Sequence, residues 1–231
     1  MIVAVAGGKG GVGKTTVSLN LAAALDAVAV DGDLSTADLP HEPGAGIYDV
    51  LAGSVDPLEA IQTVGSVDVL SCGPAIEGVQ AATLTKFAEV VSRIERTYGN
   101  VVIDCPAGLA RDVGTYIDAA ETVVLVTTSD QLSIANANQT KRLAVTLETP
   151  ISCVVLNSVT PYHDTTDEHR VAVESKLETD AVVVSHDPAV GHAQQDGQAV
   201  VDVSPDADVV STFETVAEVV RENTTRGLKT Q

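Results

Sequence analysis

The sequence predicts an α/β protein, a doubly wound and mainly parallel sheet with helices on both faces, in one domain spanning residues 1–231. Three observations carry this. Short apolar runs rich in Val and Ala alternate with helical patterns along the chain, as repeated strand–helix–strand units do. A glycine-rich loop at residues 7–16 follows directly on the first apolar run. Aspartates end two further runs, Asp31 and Asp33 after one and Asp104 after another. That is the carboxyl edge at which open parallel sheets bind ligands. The 231 residues suffice for one sizeable core, and no repeat or linker divides them.

The first strand is Ile2–Ala6, uninterrupted in its apolar character as a strand buried on both faces requires. The loop after it contains G-x-x-x-x-G-K-[ST] from Gly8 to Thr15, the Walker A pattern of P-loop nucleotide triphosphatases. A helix over Val17–Leu25 follows, with Leu19, Leu21, Ala22 and Leu25 apolar. Strand, glycine loop and helix in this order surround a phosphate chain with backbone N–H groups and aim the positive end of the helix dipole at it. Gly8, Lys9, Gly10, Gly11, Val12, Gly13, Lys14, Thr15 and Thr16 therefore form the candidate phosphate site. Lys14 would neutralise β- and γ-phosphate charge, and Thr15 would offer its hydroxyl to Mg2+.

The later elements follow in turn. Ala27–Val30 leads into Asp31-Gly32-Asp33, and Val67–Leu70 precedes Ser71-Cys72-Gly73-Pro74. Leu84–Tyr98 reads as a helix with Phe87, Val90, Val91 and Ile94 on one face. Val101–Ile103 leads into Asp104, the Walker B arrangement in which a strand-end aspartate holds Mg2+ through a water. Thr122–Thr127 is a strand, Leu132–Leu147 a helix, Ile151–Leu156 a strand ending at Asn157, and Ala181–Val184 the last strand. Ala207–Val220 closes the fold as a helix with Val209, Val210, Phe213, Val216, Ala217 and Val220 in a stripe.

Net charge is −19, with 13 Lys and Arg against 32 Asp and Glu, while 45% of residues are hydrophobic. A hydrophobic core under so acidic a surface points to a cytosol of high salt, as in a haloarchaeon, where self-repulsion is screened. Cys72, Cys105 and Cys153 are far apart and form no C-x-x-C, which argues against zinc, iron–sulfur and disulfide frameworks. No signal peptide precedes the first strand and no apolar run is long enough to span a bilayer, so a cytoplasmic location is expected.

Lys9, a second lysine within the loop, is the sharper clue. Gly8-Lys9-Gly10-Gly11-Val12-Gly13-Lys14-Thr15, Asp31-Gly32-Asp33 and Asp104-Cys105-Pro106-Ala107-Gly108 resemble the motifs of the deviant Walker A ATPases of the MinD/ParA family. The resemblance covers nearly the whole chain and weakens after residue 157. It implies that Lys9 reaches across a dimer interface to the nucleotide of the other subunit. It further implies that Asp33 positions the attacking water, that Asp31 lies in the outer shell of the metal, and that the Gly108 amide senses the γ-phosphate. Asn157 matches an adenine-contacting asparagine. Asp187 falls in the following base-binding segment, with Ser185 where proline is usual. Asp38 occupies a position where relatives often carry asparagine, and a carboxylate there accepts hydrogen bonds but cannot donate them.

ATP/ADP and Mg2+ are the cofactors so implied, and no N/T-K-x-D motif for guanine follows the later strands. The implied partners are a second copy of the chain, in an ATP-dependent homodimer, and an activating protein. The implied work is positional, at the division site, on chromosomes or plasmids, or in motility and chemosensory arrays. Two alternatives share the loop: a metabolic ATP-dependent synthase, against which the compact length argues, and an iron–sulfur relative, against which the cysteine spacing argues.

Weaker signals are read plainly. His163 and His169 fit a polar loop and helix start, with Thr166 as N-cap, better than a metal cluster. Cys105 reads as a packed thiol, not a redox sensor. Basic residues are scattered, so non-specific DNA binding should be weak or absent. Beyond Val220 only Leu228 is large and apolar, so residues 221–231 read as a frayed end without autonomous membrane anchoring. A polar or membrane-proximal location would come through a partner.

Overall fold

Valine dominates the strands because its branched side chain suits a pleated surface buried on both sides. In a computed structural model, which describes residues 1–34, 39–72, 80–108, 111–160 and 165–227, the described strands join in one sheet. They are β1 (Ile2–Ala6), β2 (Val28–Asp31), β3 (Gln62–Val64), β4 (Val67–Leu70), β5 (Val101–Asp104), β6 (Thr122–Thr127), β7 (Ile151–Val159) and β8 (Ala181–Ser185). Their order is β3-β4-β2-β5-β1-β6-β7-β8. Every pairing is parallel except β3 with β4 at the edge.

The helices are α1 (Lys14–Leu25), α2 (Ile47–Ala52), α3 (Gln80–Tyr98), α4 (Arg111–Asp118), α5 (Gln131–Thr146), α6 (Thr165–Leu177), α7 (Pro188–Gln195), α8 (Val200–Val203) and α9 (Asp208–Gly227). The alternation of side chains along β1 divides the core. Ile2, Ala4 and Ala6 pack with Phe87, Val91 and Ile94 of α3, Tyr116 and Ile117 of α4, and Ile134 of α5. Val3 and Val5 face the other way, onto Val17, Leu21 and Leu25 of α1 and Phe213, Val216 and Val220 of α9. α1 is buried between the sheet and α9, which accounts for its apolar residues on several sides.

This topology places the site. β1 lies between β5 and β6, with Val5 opposite Asp104. β2 lies on the other side of β5, with Asp31 opposite Asp104. The loops after β1, β2 and β5 therefore leave the same edge side by side.

Several expectations need correction. α1 begins at Lys14, not Val17. Its polar first turn carries no apolar period, and Gly13 in the left-handed conformation (φ 91°) starts the helix there. β7 continues through Asn157 to Val159 with an irregular register and Ser158 at φ 56°. α6 begins at Thr165, so Thr166 is inside the first turn and is not the N-cap. α9 runs on through Gly227, so residues 221–227 are not a frayed end. It is docked there: Arg221 donates to the Ala24 carbonyl at 2.8 Å and Asn223 to the Ser152 carbonyl at 2.8 Å. Asp38, His163, Leu228 and Lys229 lie outside the described residues. No described helix is long and apolar enough to cross a membrane.

Candidate functional site

The loop between β1 and α1 is held from two sides. A Cβ on Gly8 would come within 2.4 Å of the Asn136 carbonyl oxygen on α5, so the loop lies directly against that helix. Gly13 has φ 91°, and a Cβ there would sit 2.1 Å from Asn157 Nδ2. Both conditions exclude any side chain. The Asn157 amide also donates to the Val12 carbonyl at 2.9 Å, so β7 braces the loop. Lys14 is 9% exposed and its Nζ approaches the Lys9 carbonyl at 3.4 Å.

The carboxyl edge of the sheet supplies the acidic side. Asp104 is 2% exposed and accepts from Ser18 Oγ at 2.8 Å. Ser18 lies one helical turn after Lys14 and faces the sheet. That spacing was the signal for it, and the sequence reading missed it. The turn after β2 is tied down by three bonds: Gly32 N–H to the Asp104 carbonyl at 2.9 Å, Asp33 N–H to Asp31 Oδ1 at 3.0 Å, and Cys72 Sγ to the Asp33 carbonyl at 3.2 Å. These contacts turn Asp31 inward and bring Asp33 to the cleft wall.

Asp31 is fully buried, and no hydrogen bond reaches its Oδ2 among the described residues. Burial, and then the neighbouring Asp104 charge, push its carboxyl up to about 7. Two buried carboxylates side by side, one with an orphaned oxygen, fit a hard cation whose charge would relieve both. The described residues hold no group of three or more His, Cys, Asp or Glu able to bind a metal unaided. A cation here would draw its other ligands from Thr15, water and phosphate oxygens, as Mg2+ does.

A cleft of about 480 Å3 opens beside these parts. Of the residues expected from sequence, Gly10, Gly11, Gly13, Lys14, Thr15, Thr16, Asp33, Asn157 and Asp187 line it. Gly8, Lys9, Val12, Asp31, Asp104 and Gly108 do not. Val12 points into the core, and Lys9 turns outward to Asp130 on the α5 side. Asp187 Oδ1 caps α7 by accepting from Ala189 N–H at 2.8 Å.

The far end of the cleft was read only in part: the segment 184–187 was expected there, whereas the α7 residues Val190, Gly191 and Gln194 were missed. Val184, Ser185, His186, Val190, Gly191 and Gln194 form it. Asp187-Pro188, an N-cap followed by proline at the first helical position, was the available sign of α7. Cys105 also lines the cleft. Burial and the adjacent Asp104 hold its thiol far above the usual range, which keeps it protonated and suits a packed thiol. His169 sits exposed on α6.

The arrangement can receive a chain of phosphates. Gly10, Gly11, Gly13, Lys14, Thr15 and Thr16 line one end of the cleft and Asp33 its wall, while the buried Asp31 and Asp104 carboxylates lie side by side. Comparison with known proteins agrees. The chain is 36% identical over 170 residues to an uncharacterised ATP-binding protein of Methanocaldococcus jannaschii, a match spanning 69% of this chain and 65% of that protein. A second such protein of the same archaeon is 31% identical over 227 residues, 93% of this chain and 85% of the relative. An iron–sulfur cluster carrier protein of Methanococcus maripaludis is 28% identical over 171 residues, 67% of this chain and 59% of the relative. Among solved structures, the septum site-determining protein MinD of Pyrococcus horikoshii, complexed with Mg-ADP, superposes with a TM-score of 0.82 at 26% identity, covering 95% of each chain. The model of the CobQ/CobB/MinD/ParA nucleotide binding domain matches residues 3–201, and the chain belongs to that family.

Proposed function

We propose that the chain is a Mg2+-dependent ATPase of the deviant Walker A kind, which dimerises with ATP between the subunits and hydrolyses it to drive a positional switch. The observation that carries this reading is the division of labour between two loop lysines. Lys14 lines the chain's own cleft, whereas Lys9 is 41% exposed and points out of it. A phosphate-loop lysine that does not serve its own cleft is suited to serve a partner's. In this reading Lys14 and the loop amides hold the phosphates, and Thr15 with Asp104 and Asp31 orients Mg2+. Asp33 positions the attacking water. Gly108, with φ 90° and no described atom within 4 Å of where a Cβ would sit, reports the γ-phosphate.

Mg2+, held by Thr15, Asp31 and Asp104, would supply neutralisation of the phosphate charge. The chain's own residues orient the water, exclude bulk solvent and hold the base. Asn157 donates its amide to the loop and so retains Oδ1 as an acceptor at the cleft. An acceptor suits the 6-amino group of adenine and not the 6-oxo group of guanine. Slow turnover raised by a protein partner, and work in a cytoplasm of high salt, complete the proposal.

The test is phosphate release from ATP by the purified protein, with and without extract of its own cells. Slow release that rises with extract, and is lost in Asp33→Ala, supports the reading; fast unstimulated release coupled to a small-molecule product would favour a synthase. The iron–sulfur carrier reading makes a separate prediction. It requires iron in the purified protein, against the burial of Cys72, Cys105 and Cys153.

A further inference from the structure

Asp130 ends the segment after β6 and caps α5. Its Oδ1 accepts from Ser133 N–H at 3.0 Å, and its Oδ2 accepts from the Thr128 and Ser133 hydroxyls. The carboxylate is thereby fixed before any cation meets it. Lys9 Nζ lies 3.6 Å from Asp130 Oδ1. The backbone beside Lys9 lies directly against this helix, since a Cβ on Gly8 would come 2.4 Å from the Asn136 carbonyl oxygen. The loop thus delivers Lys9 to the carboxylate that α5 holds ready at its N-terminus. The bonds from Ser133 and Thr128 keep Asp130 well below the usual carboxylate range, so the charge opposite Lys9 is constant near neutrality.

We infer that Asp130 is a positioning residue that parks Lys9 against its own subunit in the uncombined chain and must release it for the ATP-bound dimer. The inference rests on the dimer reading above and adds a regulation to it. With Lys9 held by Asp130, its side chain stays out of its own cleft and is not free to reach a partner's. Dimerisation then requires two such pairs to open, one from each subunit. Both side chains are partly exposed, 41% for Lys9 and 48% for Asp130, so each pair is of the surface kind. Surface pairs are worth up to about fivefold in an equilibrium constant, and two pairs up to about 25-fold. Asp130 would then set how much ATP and protein the switch needs, a threshold function separate from hydrolysis.

The test uses Asp130→Asn and Asp130→Ser, both of which keep an oxygen to cap α5 and lose the charge. Two measurements are made on the full chain. The first, without nucleotide, is the rate of reductive methylation of Lys9 relative to exposed Lys86, read by mass spectrometry. The second is the dimer dissociation constant with a non-hydrolysable ATP analogue, by sedimentation. Parking predicts that both variants speed Lys9 methylation several-fold and tighten the dimer by up to about 25-fold. It also predicts that neither substitution tightens association in a Lys9→Ala background. Unchanged methylation overturns the inference whether or not the protein dimerises. Faster methylation with an unchanged or weaker dimer overturns it too, as does a tightening that survives Lys9→Ala. A wild-type chain that stays monomeric with the analogue refutes the dimer reading instead, and parking with it only if methylation is also unchanged.

Discussion

Replacing Asp31 with asparagine should stabilise the nucleotide-free protein. Asp31 is fully buried beside Asp104, with Oδ2 unpartnered among the described residues. Its carboxyl titrates at about 7 in the fold against 3.8 when unfolded. Between those values the native state binds more protons than the unfolded state, so stability from this group falls as pH rises from about 4 to 7 and is flat above. At about 1.36 kcal/mol per pH unit the penalty reaches about 4 kcal/mol above pH 7. An amide in place of the Asp31 carboxylate would carry no charge and could donate toward Asp104. Urea denaturation in concentrated KCl with a chelator, at pH 4 and pH 8, measures this. The Asp31→Asn variant should gain about 2–4 kcal/mol over wild type at pH 8 and much less at pH 4. Equal stability at pH 8, or a gain independent of pH, would refute the argument that the pair is electrostatically strained. A divalent cation with nucleotide should narrow the difference, because it relieves the same repulsion.

Three further outcomes follow from the same geometry. Lys14→Ala removes a charge-assisted phosphate contact and should weaken ATP binding by about 2 kcal/mol or more; unchanged affinity by calorimetry would remove Lys14 from the site. Asn157→Leu removes both the brace on Val12 and the acceptor at the base end, so ATP affinity should fall about tenfold and the preference for ATP over GTP should collapse. An unaltered ATP/GTP ratio would show that Asn157 does not read the base. With a net charge of −19, cooperative folding should require salt near 1 M, where the Debye length is about 3 Å; full stability by circular dichroism in about 50 mM salt would contradict the acidic-surface argument.

The glycine loop between β1 and α1 was legible because its pattern is local in sequence. β1, β4 and β6 fall at the expected residues, since short uninterrupted apolar runs between turn residues leave little choice of bounds. Strand-end aspartates were legible for the same reason. What sequence alone left open was which way each side chain turns. Asp31 and Asp33 are two residues apart, yet backbone bonds to Asp104 and Asp31 send one into the core and the other to the cleft. Lys9 and Lys14 share a loop, yet Lys14 lines the cleft and Lys9 does not. The α7 part of the cleft was illegible because that helix is short and weakly apolar, and it joins Asn157 in the lining only through tertiary packing. α2, α4 and the β3 edge escaped for a similar reason: each is too short for a period to emerge.

The central claim is that ATP joins two copies of this chain and that Asp33 is needed to part them. Multi-angle light scattering with and without ATP and Mg2+, on wild type and Asp33→Ala, tests it most directly. The account predicts a 23.7-kDa monomer without nucleotide, transient doubling of mass for wild type with ATP, and a persistent dimer for Asp33→Ala. A monomeric Asp33→Ala protein under conditions where wild type dimerises, or a wild-type mass that ATP never changes, would contradict it.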